Sequence, residues 1–322
     1  MKKLLFLGSA CFFLAGSIKT TPATALLVTQ NPAPTTPTAL PNQIQLLTAG
    51  TEPRQEIRLK PQANIKQLMT ITMNMDMAVT LSGKAMPKIK TPATVMKMEV
   101  LVTQVDANGD IHSKFTYTEG DVVADPAVAP EILESVRSGI KRMVGLSGTL
   151  ITDNRGQIKS SKITLPKDVD PLSKNLLEQI SASLEQMSSP MPQEAVGIGG
   201  KWRVSSQLKL GSINMNQSAV YELVSLKENV ATLNVTMEQQ ANAQEITLPG
   251  IPLGSATVSL KSMTSQGQGQ MTLPLYSVMP NSSTMSMGSQ SEMSIKEPKS
   301  KEETIIGTQM TMQMNLESQL AK

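Results

Sequence analysis

Apolar and polar residues alternate over long stretches of this chain. Between 69 and 81, Met69, Ile71, Met73, Met75, Met77, Val79 and Leu81 share one parity, while Thr70, Thr72, Asn74, Asp76, Ala78 and Thr80 share the other. Successive side chains of a strand point to opposite faces, so this predicts a long strand with one apolar face. The next run, 94–105, places Met96, Met98, Val100 and Val102 together and ends in Asp106-Ala107-Asn108-Gly109-Asp110. Its Asn-Gly pair accepts the positive φ of a tight turn, and 111–118 returns as the partner strand carrying Phe115 and Tyr117. Two short strands are expected within 148–165, around Asp153-Asn154-Arg155-Gly156. Further strands are expected over 202–210, 219–226, 231–239, 256–262, 270–276, 284–295 and 305–316. The last two alternate again, with Met285, Met287 and Met293, then Met310, Met312 and Met314.

Two segments break this period of two. After Pro126 and Pro130, the residues Ile132, Leu133, Val136, Ile140, Met143 and Val144 recur at spacings of three and four, the stripe of an amphipathic helix. A second stripe, Leu172, Leu176, Leu177, Ile180, Leu184 and Met187, follows Asp170-Pro171, a capping acid before a first-turn proline, and is stopped by Pro190 and Pro192. The fold class expected is therefore α+β: a large curved antiparallel sheet of meanders, with two α-helices packed on its apolar, Met-rich face. A similar strand order starts near Lys66 and near Lys201, which divides the folded part into halves at 57–192 and 193–322.

The N-terminus reads differently. Lys2 and Lys3 precede the apolar run 4–15, which is too short to span a bilayer and fits a secretory signal peptide over 1–25, ending at Ala25 or alternatively Ser17. Cys11 belongs to the hydrophobic part of that peptide; Gly8 stands where a lipoprotein motif wants leucine. From 26 to 56 the chain is rich in Thr, Pro and Ala and is expected to be a linker, with a short peripheral strand over 26–30 or 44–49 as the alternative. The β-rich domain is then 57–322.

Removing 1–25 changes the charge. The full chain of 322 residues has 29 basic and 26 acidic residues, and three of those lysines (Lys2, Lys3, Lys19) lie in the signal peptide. The exported chain is neutral, without a second apolar segment of membrane-spanning length, and its dispersed charges predict no nucleic-acid partner. The only Cys leaves with the signal peptide and a single His remains, which excludes a Cys/His zinc site, a disulfide framework and most nucleophilic mechanisms. His112 beside Ser113 is sequence adjacency and not a catalytic pair. The acidic groups Glu119, Asp121, Asp125 and Asp106, Asn108, Asp110 lack calcium-loop spacing and read as turn and cap chemistry. Gly197-Ile198-Gly199-Gly200 has no following Lys-Ser/Thr and leads into a strand, so it is not a phosphate cradle. Trp202 behind it reads as a core anchor.

Methionine is the distinctive chemistry, at 22 residues. Three uses compete: plain core filling in a chain with five aromatics outside the signal peptide, an adaptable apolar groove, and thioether coordination of Cu(I) or Ag(I). The positions expected to line a pocket for an apolar molecule or lipid are Met73, Met75, Met77, Met96, Met98, Met310, Met312 and Met314. No cofactor, catalytic residue or metal ligand is assigned.

The strand MTITMNMDM, the turn VTQVDANGD, the hairpin SGTLITDNRGQI and the segment GIGGKW resemble a family of uncharacterised exported bacterial proteins, over most of 57–300. In architecture the chain is more distantly similar to periplasmic lipoprotein carriers, which enclose acyl chains between sheet and helices. The family likeness transfers no site; the function expected from the residues and architecture is an exported, non-enzymatic binding module for an apolar ligand or lipid, held between sheet and helices. A structural or interaction protein of the cell envelope and a Met-based soft-metal binder are the alternatives.

Overall fold

The computed structural model describes residues 42–164, 190–210, 212–246, 256–297 and 303–321. Its strands are β1 (Gln43–Thr48), β2 (Lys66–Leu81), β3 (Lys84–Ala85), β4 (Ile89–Lys90), β5 (Thr94–Val105), β6 (Ile111–Val122), β7 (Ser147–Thr152) and β8 (Ile158–Thr164). They continue with β9 (Lys201–Leu210), β10 (Ile213–Lys227), β11 (Val230–Ala241), β12 (Gln244–Ile246), β13 (Thr257–Pro274), β14 (Ser282–Lys296) and β15 (Glu303–Leu320). All fifteen belong to one sheet, whose main order is β1-β9-β10-β11-β13-β14-β15-β2-β5-β6-β7-β8. The two meanders therefore share a sheet, joined where the last strand, β15, pairs antiparallel with β2.

Parity carries across the central pairings, and register shifts interrupt it in β1–β9, β10–β11, β13–β14, β5–β6 and β7–β8. The apolar side of β2 continues into Met96, Met98, Val100 and Val102 of β5 and into Phe115 of β6. On the other side of the sheet it continues through β15 and β14 to Val235 of β11, Tyr221 of β10 and Trp202 of β9. Val102 and Ile111 then share one hydrophobic cluster with Trp202, Val204, Ala219, Tyr221 and Leu233, although the strands are far apart in sheet order. Such contact requires the sheet to curl with its apolar face inward, as the twist of a many-stranded antiparallel sheet favours. The outward face of the central strands carries Thr72, Asn74 and Asp76, Gln309, Thr311 and Gln313, Gln266, Gln268 and Gln270.

The two-helix layer expected over the Met-rich face is corrected by this architecture. The molecule is mostly β, and among the described residues there is one helix, α1 (Pro130–Lys141). The second helical pattern, 171–187, lies outside the described residues. Helix α1 starts on Pro130 and buries Val136 and Ile140 against Val122 at one corner of the sheet, with Met96 packed beside them. Gly120 of β6 makes room for it, since a Cβ there would lie 2.6 Å from Ile140 Cγ2. A helix of 12 residues is roughly 18 Å long, whereas a strand of 16 spans about 50 Å, so α1 covers one corner only.

Two strand expectations change as well. Part of the expected linker, Gln43–Thr48, is β1; it pairs with β9, and Ile44 and Leu46 pack on the core. The separate strands expected at 256–262 and 270–276 are one 18-residue strand, β13. The polar, Gly-containing middle of β13 stays extended because β11 and β14 hydrogen-bond it from both sides. The signal peptide and residues 26–41 of the expected linker lie outside the described residues, while 49–56 are tied to 196–198 by backbone hydrogen bonds.

Candidate functional site

The registers of β14, β15 and β2 bring six of the eight predicted methionines into a lattice. Met310, Met312 and Met314 of β15 face Met77, Met75 and Met73 of β2. On their other side they face Ser289, Met287 and Met285 of β14. Two complete rows result, Met285–Met314–Met73 and Met287–Met312–Met75. Directly opposed residues of an antiparallel pair have Cβ atoms about 5 Å apart, so neighbouring thioethers in each row are in reach of one another. Met285 and Met287 were legible as alternating positions, but their membership in the lattice needs the register. Gly269 and Gly267 of β13 continue the rows, and the Met285 sulfur packs over Gly267, 3.5 Å from where its Cβ would lie.

These methionines are half-buried, as are Ile71, Met96, Met271 and Leu316 of the same face, whereas Met69, Met98, Val100 and Val235 are buried. Met98 is buried with Met69, Val100 and Phe115, and Val278 and Met279 of the β13–β14 connection lie over that cluster. The connection is pinned by Gln67, a side chain only 1% exposed. Its Nε2 donates to the Met279 carbonyl at 3.4 Å, and the Met279 N–H donates back to Oε1 at 3.3 Å. Met96 lies beneath α1. Met98 is therefore core and Met96 is half-buried against the α1 cluster, both separate from the lattice. Next to the lattice, β5 ends at Thr94 opposite Met73, and only the two-residue β4 faces Met77 and Asp76.

A second feature of the inward face escaped the sequence reading. One cross-strand row is polar: Ser206 of β9, Gln217 of β10, Gln239 of β11, Ser265 of β13 and Ser289 of β14. It continues directly into Met310 and Met77. On one side of this belt lie Val204, Ala219 and Val235 of the main core; on the other lie Met215, Ala241 and Met263 of a second cluster. Gln239 Nε2 donates to Gln217 Oε1 at 2.8 Å, and the Ser265 hydroxyl donates to Ser289 Oγ at 3.0 Å. Ser206 is 8% exposed, and its buried hydroxyl has no hydrogen-bond partner. The signal in the sequence was a polar residue at an inward parity position of each strand, visible only once the strands are aligned. A cleft of about 480 Å³ opens on the other face of the sheet, between the outward rows Gln43–Ser205–Ser218–Glu238–Gln266 and Gln207–Asn216–Gln240–Thr264 that flank the belt.

Residues 174–273 match the model of a family of unknown function, DUF6263. The match takes in β9, β10 and β11 and most of β13, with four of the five belt residues, and leaves out β14, β15 and β2 of the lattice. No curated protein matches. Among solved structures, OccAB3 of Acinetobacter baumannii is 5% identical, with 80% of this chain and 99% of that one covered, at a TM-score of 0.21. The toluene transporter TodX of P. putida is 10% identical, with 81% and 91% covered, at a TM-score of 0.22. OccAB4 of A. baumannii is 7% identical, with 80% and 99% covered, at 0.18. TM-scores this low carry no argument about either fold or function. Among the described residues no helix is long and apolar enough to cross a membrane.

Four carboxyls, Asp106, Asp121, Asp125 and Glu303, are held below the ordinary carboxylate range. His112 Nε2 lies 2.8 Å from Asp106 Oδ2 across the β5–β6 turn. That hydrogen bond, with a second from Gln104, holds the Asp106 carboxyl below the ordinary carboxylate range. Asp121 is lowered by the Val122 N–H and Arg137, Asp125 by Lys90 and the Ala127 N–H, and Glu303 by Lys261 and Ser294. A carboxyl with a depressed folded pKa contributes stability above its unfolded value and loses it as pH falls through the folded one. The urea midpoint is therefore expected to be flat above about pH 5 and to fall below about pH 4. Asp106→Asn should make that acid-side fall shallower; an unchanged slope would show that the turn contributes nothing to it.

Proposed function

We propose that this protein is an exported, non-catalytic binding module that takes an apolar molecule or lipid on its methionine lattice. The observation that carries the reading is the contrast along one face. The lattice methionines are all half-buried, whereas Met69, Met98, Val100 and Phe115 of the adjoining cluster are buried, with Val278 and Met279 packed against them. Methionine suits such a surface, because its unbranched thioether repacks around varied apolar shapes. Export is supported by Lys2-Lys3 and the apolar run after them. The carrier resemblance survives here only in a coarse form, an apolar inward face on a curved antiparallel sheet. His112, the only imidazole, is engaged with Asp106 at a surface turn, which supports binding over catalysis.

The test is native mass spectrometry of the purified protein, followed by titration with a fluorescent fatty-acid probe. Co-purifying lipid and saturable binding are expected. Met75→Gln/Met312→Gln keeps side-chain length, adds polarity at two half-buried positions, and should weaken binding at least tenfold, or about 1.4 kcal/mol. Unchanged binding in that variant would move the site elsewhere, and no binding at all would favour an envelope structural role. Ag(I) adducts lost in the same variant would instead support thioether coordination across the rows.

A further inference from the structure

We infer that the outward cleft across β1, β9, β10, β11 and β13 is a binding site for a short, neutral oligosaccharide. It lies on the face opposite the methionine lattice and does not depend on the apolar-ligand reading.

Lining is the first argument. Every residue that lines the cleft is Gln, Asn, Ser, Thr or Glu, with no apolar side chain among them. Its volume of about 480 Å³ is ordinary for a ligand site, but such sites are mostly apolar with a few placed polar groups. A wholly polar cleft of that size suits a hydrophilic ligand. Its shape suits a linear one. The two outward rows stand two residues apart along each strand, roughly 7 Å, and the belt residues between them point to the other face. The floor between the rows is therefore backbone, and the walls are side chains. From β1 to β13 the trough crosses four inter-strand steps of about 4.8 Å, roughly 19 Å in all.

Charge is the second. Glu238 is the only ionisable residue in the lining, and no Lys or Arg accompanies it. A phosphate, a nucleic acid or an acidic polysaccharide would meet a carboxylate and no pairing cation. Hydroxyl donors, by contrast, give that carboxylate what it accepts.

The third is availability. Elsewhere on the outward face of β11 and β13, the Gln270 Nε2 donates to Asn234 Oδ1 at 3.0 Å, so those two carboxamides satisfy each other. Among the described residues, Gln207, Asn216, Gln240 and Gln266 have no such partner for their side chains, although Asn216 and Gln240 face each other directly. Each carboxamide presents a donor and an acceptor side by side, which matches two neighbouring hydroxyls of one sugar ring.

The experiment is isothermal titration of the purified protein with cellotriose and with triacetylchitotriose, compared with trigalacturonate and triglycine. At least one neutral saccharide is expected to bind saturably and at least tenfold more tightly than either comparator. Asn216→Ala/Gln240→Ala removes two facing carboxamides from exposed positions. It should weaken saccharide binding at least tenfold while leaving the melting temperature and the affinity for the fatty-acid probe unchanged. No binding of either saccharide at about 10 mM overturns the inference, as does full affinity in the variant. Trigalacturonate or triglycine binding as tightly would overturn the ligand class. Saccharide that displaces the fatty-acid probe would put both on one face and overturn the placement, whereas a protein that takes saccharide but no lipid would lose only the apolar-ligand reading.

Discussion

Trp202→Ala is expected to lower stability by about 3–5 kcal/mol, a large part of the total for a domain that is stable by about 5–15 kcal/mol. Trp202 is 1% exposed and sits where β1, β9 and β10 meet, opposite Leu46 and Tyr221. Its ring stacks on Tyr221 with centroids 5.6 Å apart and planes 16° from parallel. In a chain with so few aromatics, no other side chain can fill the space that alanine would leave. The indole N–H is buried without a partner, so Trp202→Phe removes a penalty along with some volume and should cost less than half as much. Urea unfolding followed by circular dichroism measures both, since the only tryptophan is the one replaced. A phenylalanine variant as damaged as alanine would mean that the N–H is satisfied in solution and that Trp202 is held by more than packing.

The long strands were legible because alternation is a local property. Met69 to Leu81 declares its two faces without any knowledge of partners, and the Asn-Gly turn at 108–109 ties β5 to β6 across a few residues. Partner order is not local. The pairing of β15 with β2 joins residues more than 200 positions apart in sequence, and no pattern within either strand selects it. The same limit governed the site. Met73, Met75, Met77, Met310, Met312 and Met314 could be chosen by parity, but so could Met96 and Met98. What separates them is α1 over the first and the 278–279 connection over the second, both contacts between distant segments. Likewise Ser206, Gln217, Gln239 and Ser265 each look like a minor fault in an apolar stripe, and become a belt only through register. Local pattern also misled where a neighbour overrode it: the middle of β13 has poor strand propensity but is held by ladders on both sides.

Gly197→Ala is expected to be nearly as damaging as the loss of Trp202, at about 3 kcal/mol or more, for a purely backbone reason. The Gly197-Ile198-Gly199-Gly200 segment, excluded as a phosphate cradle, joins chain to chain. Gly197 N–H donates to the Ala49 carbonyl at 2.8 Å and Thr51 N–H donates to the Ile198 carbonyl at 2.9 Å. Gln55 and Val196 exchange a reciprocal pair at 3.1 and 3.0 Å. A Cβ on Gly197 would collide with the Thr51 carbonyl oxygen and lie 3.1 Å from that of Pro53, both backbone atoms fixed by this stitching. Gly199 is the control: it has φ +78° but nothing within 4 Å of its Cβ position, so Gly199→Ala should cost only the left-handed penalty of about 1–2 kcal/mol. Because the stitched segment leads into Ile57 and Leu59 of the main core, the damage should spread from it. Hydrogen exchange on Gly197→Ala should show lost protection at the β1–β9 ladder, while β14 and β15, bonded to strands on both sides, keep theirs. Uniform loss across the sheet would mean instead that the stitch and the methionine lattice unfold as one unit.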